Sequence, residues 1–175
     1  MYLLNWLYPN TGKKESFIQF PKSSIFRNGK YFFRSAWDPI YDLADGFIYV
    51  AFGLEPVIYI YEDNAPYRLS SKLSLELPEY RYFKGANSFN QNLEFFRHRF
   101  TSGFIENIKK FNKYYLVGYF PGYNDADTEM RFSKKSPEET AAFNTRMKNK
   151  YPYQIAIFDS LGRLVNNFIP GKLDP

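Results

Sequence analysis

The sequence contains no cysteine. That excludes disulfides, thiolate nucleophiles, zinc–thiolate centres and iron–sulfur clusters, and it leaves the redox compartment open. There is a single histidine, His98, so no histidine-rich metal site can form. No apolar stretch approaches the roughly 18 residues needed to span a bilayer, and no transmembrane segment is expected. The opening stretch MYLLNWLYPN lacks a basic n-region and is too short for a signal h-region followed by a cleavage site. No Gly-rich phosphate loop, G-x-S-x-G elbow or H-E-x-x-H pair occurs, and no cofactor or metal is expected. An excess of one charge sign is also nearly missing. The net charge is +5 with a pI near 9.2, and the longest basic clusters are pairs such as Lys13-Lys14, Lys109-Lys110 and Lys134-Lys135. Such scattered pairs read as solvated surface rather than as a nucleic-acid face.

Aromatic side chains are abundant, with 19 Phe and 16 Tyr in a chain that is 45% apolar. Aromatic and β-branched residues fit pleated, half-buried surfaces, so the composition points to β-structure. At 175 residues the chain can bury the core of one domain, taken here as residues 1–175.

A repeat of form runs along the chain. Residues 1–21, 55–78 and 151–170 each read as an apolar-aromatic strand, a polar turn and a second strand closing on proline. Gly12 and Gly162 supply turn positions that need φ > 0. Phe17, Phe20, Leu69, Leu73, Leu75, Leu77, Leu164 and Phe168 are the expected packed positions, with Ile155 and Ile157 buried beside the last two. The strands GFIYVAFG (46–53) and KYYLVGYFPG (113–122), and before them DPIYDLAD (38–45) and SGFIENIKKFN (102–112), extend the last two hairpins into antiparallel four-stranded meanders. The N-terminal hairpin reads as the end of a third. Repeated four-stranded units of this kind mark β-propeller blades, so the expected fold is all-β, a partial β-propeller.

Two segments interrupt the repeat. Residues 78–101 form a long connection, in which LEFFRHRF is expected to add strand pairing. Residues 123–150 form an inserted segment. Within it, Ser136-Pro137-Glu138-Glu139 supplies an N-cap, a proline at N1 and a capping-box glutamate, so a short helix is expected near 137–148 with Phe143 and Met147 on its buried face.

On DGFIYVAFGLEPVIYIYE (45–62) and YYLVGYFPG with YPYQIAIFDSLGRLV (114–165), the chain resembles the uncharacterised six-bladed β-propeller lipoproteins of Bacteroidetes. The resemblance covers about two-thirds of the chain and rests on strand-turn texture. It implies a propeller of roughly twice this length, of which about two and a half blades are present, and a periplasmic or outer-membrane location. The signal peptide and lipobox cysteine of that family are absent from the given residues. Incomplete rings expose blade faces, so self-association through them is expected.

Candidate sites are few. His98 in FFRHRF reads as a strand or loop residue whose flanking arginines lower its pKa. NDADTEM (124–130) alternates Asp125, Asp127 and Glu129, yet Met130 and Ser136 stand where a calcium loop needs glycine and glutamate, so it reads as an acidic solvated loop. The arginines of RHRF, with Tyr80, Tyr82, Phe83, Phe95 and Phe96, read as packing with cationic stems on aromatic faces. The expected ligand-binding residues are the loop residues Trp37, Asp38, Tyr123 and Asp125. The expected function is a non-enzymatic binding or scaffolding protein with a protein or glycan partner. The alternative is a hydrolase acting on glycans through paired carboxylates.

Overall fold

The computed structural model describes residues 3–89 and 92–171. Ten strands form three antiparallel sheets. A hairpin pairs β1 (Leu4–Leu7) with β2 (Lys14–Phe17). A first meander runs β3 (Pro39–Ala44), β4 (Phe47–Phe52), β5 (Val57–Glu62) and β6 (Leu69–Ser74), and a second runs β7 (Phe104–Phe111), β8 (Tyr114–Phe120), β9 (Gln154–Phe158) and β10 (Leu164–Phe168). Both larger sheets keep their strands in sequence order. Gly12 and Gly162 take the positive φ expected of them, +65° and +79°.

The sheets stack in chain order. One face of β4–β5, carrying Ile48, Val50, Phe52, Tyr59 and Tyr61, packs on the hairpin, where Trp6 stacks on Phe17 at 5.1 Å. The other face, carrying Tyr49, Ala51 and Ile58, packs on Val117, Tyr119, Ala156 and Phe158 of the second meander. Tyr59, Tyr119, Phe52 and Phe158 are fully buried, each side chain of this size contributing about 1.5–3 kcal/mol by leaving water.

Asp42 fastens β3 to β7. Its carboxylate accepts from the Lys109 ammonium at 2.7 Å and from the Lys110 backbone N–H at 2.8 Å. Burial works against its charge, but the Lys109 and Lys110 hydrogen bonds outweigh it, so Asp42 sits below the usual carboxylate range.

Helices occupy the two interrupting segments. The expected helix is present as Pro137–Lys150, with Ser136 and Glu139 closing a reciprocal capping box and Phe143 and Met147 buried. Two further helices correct the reading of the sequence. Asn92–Thr101 is helical where strand pairing was expected, and it is labelled α1. The spacing explains it: Phe95 turns inward beside His98, while Phe96 and Phe100 stand one turn apart and touch edge-on at 5.1 Å, a period of three to four rather than two. Asp125–Phe132 is α2, not a solvated loop, and the helix described above is α3. The Asn124 side chain caps α2 by accepting the Asp127 N–H at 2.8 Å, and Asp125 and Asp127 then lie in the first turn, where helix-dipole charge favours them.

The last hairpin buries the opposite set of residues from the one expected. Gln154, Ala156 and Phe158 face the core, while Ile155 and Ile157 lie half-exposed on the outward face and Leu164 is exposed. An alternating strand allows either phase, and Phe158 opposite Tyr115 selects this one. Leu69 is likewise exposed, whereas Leu73, Leu75 and Leu77 are buried as expected. No helix among the described residues is long and apolar enough to cross a membrane.

Candidate functional site

Antiparallel alternation sends the three longest connections, 18–38, 75–103 and 121–153, to one end of the sheets. Segments 18–38, 53–56, 75–103 and 121–153 all lie where β3, β5, β7 and β9 begin. The opposite end of the two meanders carries connections of two to six residues. Loops positioned by a rigid sheet are where binding residues collect.

The connections are locked together by backbone contacts. Arg81 N–H donates to the Pro121 carbonyl at 2.7 Å, and Gly103 N–H donates to the Arg81 carbonyl at 2.5 Å. Ile105 N–H reaches the Gly53 carbonyl at 2.8 Å, and the Tyr80 hydroxyl donates to the Leu54 carbonyl at 3.0 Å. Leu54 N–H in turn bonds the Ala36 carbonyl at 3.1 Å, and Gly53 N–H the Asp38 carbonyl at 3.3 Å. Trp37 is therefore held between two residues pinned to the end of β4.

Two of the expected ligand residues share a cleft. Trp37 and Asp38 line an aromatic cleft of about 790 Å³ between loop 32–38 and α1. Phe95, Phe96 and Arg99 form the α1 wall, and Arg34 stands on the loop wall. This volume and lining fall in the range of small-ligand sites, where apolar walls carry a few polar groups. The other two expected residues do not join them. Tyr123 and Asp125 lie across α1, in a smaller cleft of about 360 Å³ that His98, Thr101 and Tyr82 also line.

His98 is a helical residue, not the strand or loop residue expected. Its ring stacks on Phe83, with centroids 4.3 Å apart. Burial is the main cause that lowers its pKa, and Arg97 adds to this, while Glu94 and Asp125 pull the other way. The direction matches the flanking-arginine reading, but the dominant cause does not. An imidazole held neutral against an aromatic ring packs rather than shuttles protons.

The buried carboxylates belong to the scaffold. Asp127 accepts from Lys150 and from the Tyr151 hydroxyl, each at 2.6 Å, and so ties the start of α2 to the end of α3. The Lys150 bond holds Asp127 below the usual range, with Tyr151 contributing. Glu55, at the turn between β4 and β5, accepts from Ile25 N–H and from the Ser24 and Tyr59 hydroxyls. Among the described residues no three His, Asp or Glu side chains converge to hold a metal ion.

A second trough adjoins the aromatic cleft. It measures about 320 Å³, shares Phe33, Ser35 and Arg99 with the first, and contains Glu106 and Tyr153. The Tyr153 hydroxyl donates to Glu106, and burial pushes the Glu106 carboxyl up. The sequence reading missed Arg34, Arg99, Glu106 and Tyr153. Their local patterns carry no motif, and only the packing of loop 32–38 against α1 and β7 brings them together. No protein-family model, curated protein or solved structure matches the chain.

Proposed function

We propose that the chain is a non-enzymatic β-propeller-type binding module that holds a glycan in the aromatic cleft at the loop end of its sheets. One observation supports it above others: the long connections, the helices and the clefts gather at that one end. Stacking of sequence-ordered four-stranded sheets with their first strands adjacent supports the propeller part of the reading. The cleft suits a sugar because the flat C–H face of a pyranose stacks on Trp37 and Phe96, while Asp38 accepts hydroxyl protons.

The test uses the two tryptophans. Replacing Trp6 by Phe leaves Trp37 as the single reporter. Titration with a panel of oligosaccharides is expected to change its emission saturably, and Asp38→Ala to weaken that response about tenfold, the loss of one charge-assisted bond. A panel that leaves Trp37 emission unmoved throughout refutes the binding reading. One observation favours a second reading, hydrolysis by paired carboxylates: Glu106, with its raised pKa, lies one trough away from Asp38. Release of reducing ends that disappears in Glu106→Gln selects hydrolysis over binding.

The same reading makes the outward face of β7–β10 an association surface for a second copy. Tyr114, Leu116, Ile155 and Ile157 face outward there, beside exposed Phe111 and Val165. At the other end of the stack the hairpin presents the polar Asn5, Ser16 and Lys14, with exposed Leu7 opposite Lys14. The described hairpin surface is largely polar, so the better complement of this apolar face is its own copy across a two-fold axis. Sedimentation at increasing concentration is expected to show a dimer that Ile157→Lys dissociates. A wild-type chain that sediments as a monomer at every concentration contradicts this.

A further inference from the structure

Two arginines line the proposed glycan cleft. Arg34 stands on loop 32–38 and Arg99 on α1. Both are exposed, and among the described residues neither has a carboxylate within ion-pair reach. Two other arginines are ion-paired, Arg97 with Glu129 at 2.9 Å and Arg163 with Asp159 at 2.7 Å. Among the described residues Asp38 is the one acid on the cleft walls, against two arginines. Arg99 also stands where the cleft meets the Glu106 trough, because the two share Phe33, Ser35 and Arg99. Arg99 is thus flanked by a cleft of about 790 Å³ and a trough of about 320 Å³.

We infer that the ligand is an acidic oligosaccharide, a chain of pyranose rings carrying carboxylates, with Arg34 and Arg99 binding the acid groups and Trp37 and Phe96 stacking the rings. This rests on the glycan-binding reading above and names its substrate class. The guanidinium fork suits a planar carboxylate because it offers two parallel N–H donors. In the adjoining trough the Tyr153 hydroxyl donates to Glu106. Aromatic rings and arginines also serve single-stranded nucleic acid, but that needs a basic groove tracking many phosphates. Here the lysines are scattered and Asp38 lies on the wall itself.

The Trp6→Phe protein, which keeps Trp37 as reporter, is titrated with three probes: tetragalacturonate, neutral maltotetraose and a short oligothymidylate. The acidic probe is expected to bind at least about tenfold more tightly than the neutral one, and to weaken as salt is raised. Arg34→Gln and Arg99→Gln are each expected to cost about tenfold toward the acidic probe and to leave the neutral probe unchanged. Both side chains are exposed, so circular dichroism of the variants should match the parent. Equal affinity for both sugars, or arginine variants without effect on the acidic probe, overturns the acid assignment and leaves glycan binding standing. Tightest binding by the oligothymidylate replaces it with nucleic-acid recognition. No response to any probe removes both readings.

Discussion

Replacing Gly122 by alanine is expected to remove about 3–5 kcal/mol of stability, a large share of what a domain possesses. Gly122 has φ +86°, and a Cβ built there falls 2.3 Å from the Arg81 carbonyl oxygen and 2.5 Å from the Gly103 nitrogen. These are backbone atoms and have no rotamer to yield. Relief requires segment 80–82 to move, and that segment carries the bonds from Arg81 to Pro121 and from Gly103 to Arg81. Gly12→Ala is the matched control. Gly12 also has positive φ, +65°, but nothing lies within 4 Å of the built Cβ. It should cost about 1 kcal/mol, the backbone penalty alone. Urea unfolding of the two variants separates the effects. Equal losses would mean that the junction relaxes freely and that backbone conformation is the whole of the cost.

The junction also couples scaffold to site. The strand ends at Gly53, Gly103 and Pro121 hold segments 36–38 and 80–82, and those segments bear Trp37, Tyr80 and Tyr82. A cleft built from loops keeps its shape here because backbone hydrogen bonds to the strand ends hold Ala36, Asp38 and Arg81. Strain at Gly122 should therefore reach cleft geometry as well as stability, since a misplaced Arg81 carries Tyr82 and Phe83 with it, and Phe83 supports both His98 and Phe95.

Strand order was legible because it is written locally. Apolar-aromatic runs separated by Gly12, Gly46 or Gly162 leave few ways to pair, and both meanders follow. The α3 helix was legible for the same reason, since Ser136 and Glu139 carry their own start signal. The α1 helix was not, because Phe95, Phe96 and Phe100 favour strands by composition and only their spacing argues for a helix. The cap at Asn124 was a readable signal for α2, hidden by the metal-loop appearance of the acids after it. The phase of β9 was undecidable, since Ile155 and Ile157 are more apolar than the Gln154 and Ala156 that lie inside. Gln154 is inside because the Tyr119 hydroxyl donates to it at 2.9 Å and the Asn167 amide at 2.6 Å, partners that no local window shows. Of the residues expected to bind a ligand, Trp37 and Asp38 share one cleft, both being loop residues beside a strand start. Arg34 and Arg99 become neighbours only through the fold.

The other large effect is expected at Glu55, and it depends on the replacement. Glu55 is 3% exposed at the turn between β4 and β5. Its Oε1 accepts from Ile25 N–H and the Tyr59 hydroxyl, each at 3.0 Å, and its Oε2 accepts from the Ser24 hydroxyl at 2.8 Å. Glu55→Ala strands three buried donors and opens a cavity, so a loss of about 3–5 kcal/mol is expected. Glu55→Gln behaves differently. With its carbonyl oxygen at the Oε1 position it serves Ile25 and Tyr59, and its amide then donates to Ser24, whose hydroxyl rotates to accept. Burial pushes the Glu55 carboxyl above the ordinary glutamate range, although Ile25, Ser24 and Tyr59 pull it back in part. The folded state therefore holds this proton more tightly than the unfolded state does. The resulting stability is fully present below the unfolded pKa and is lost as pH rises through the folded one. Glutamine keeps the neutral form at every pH, so Glu55→Gln should match the parent in acid and equal or exceed it at neutral pH. Denaturation of both proteins across the acid-to-neutral range is the measurement. A Gln variant as damaged as the Ala variant would show that the charge itself, not the set of accepted hydrogen bonds, holds segment 24–25 to the sheet.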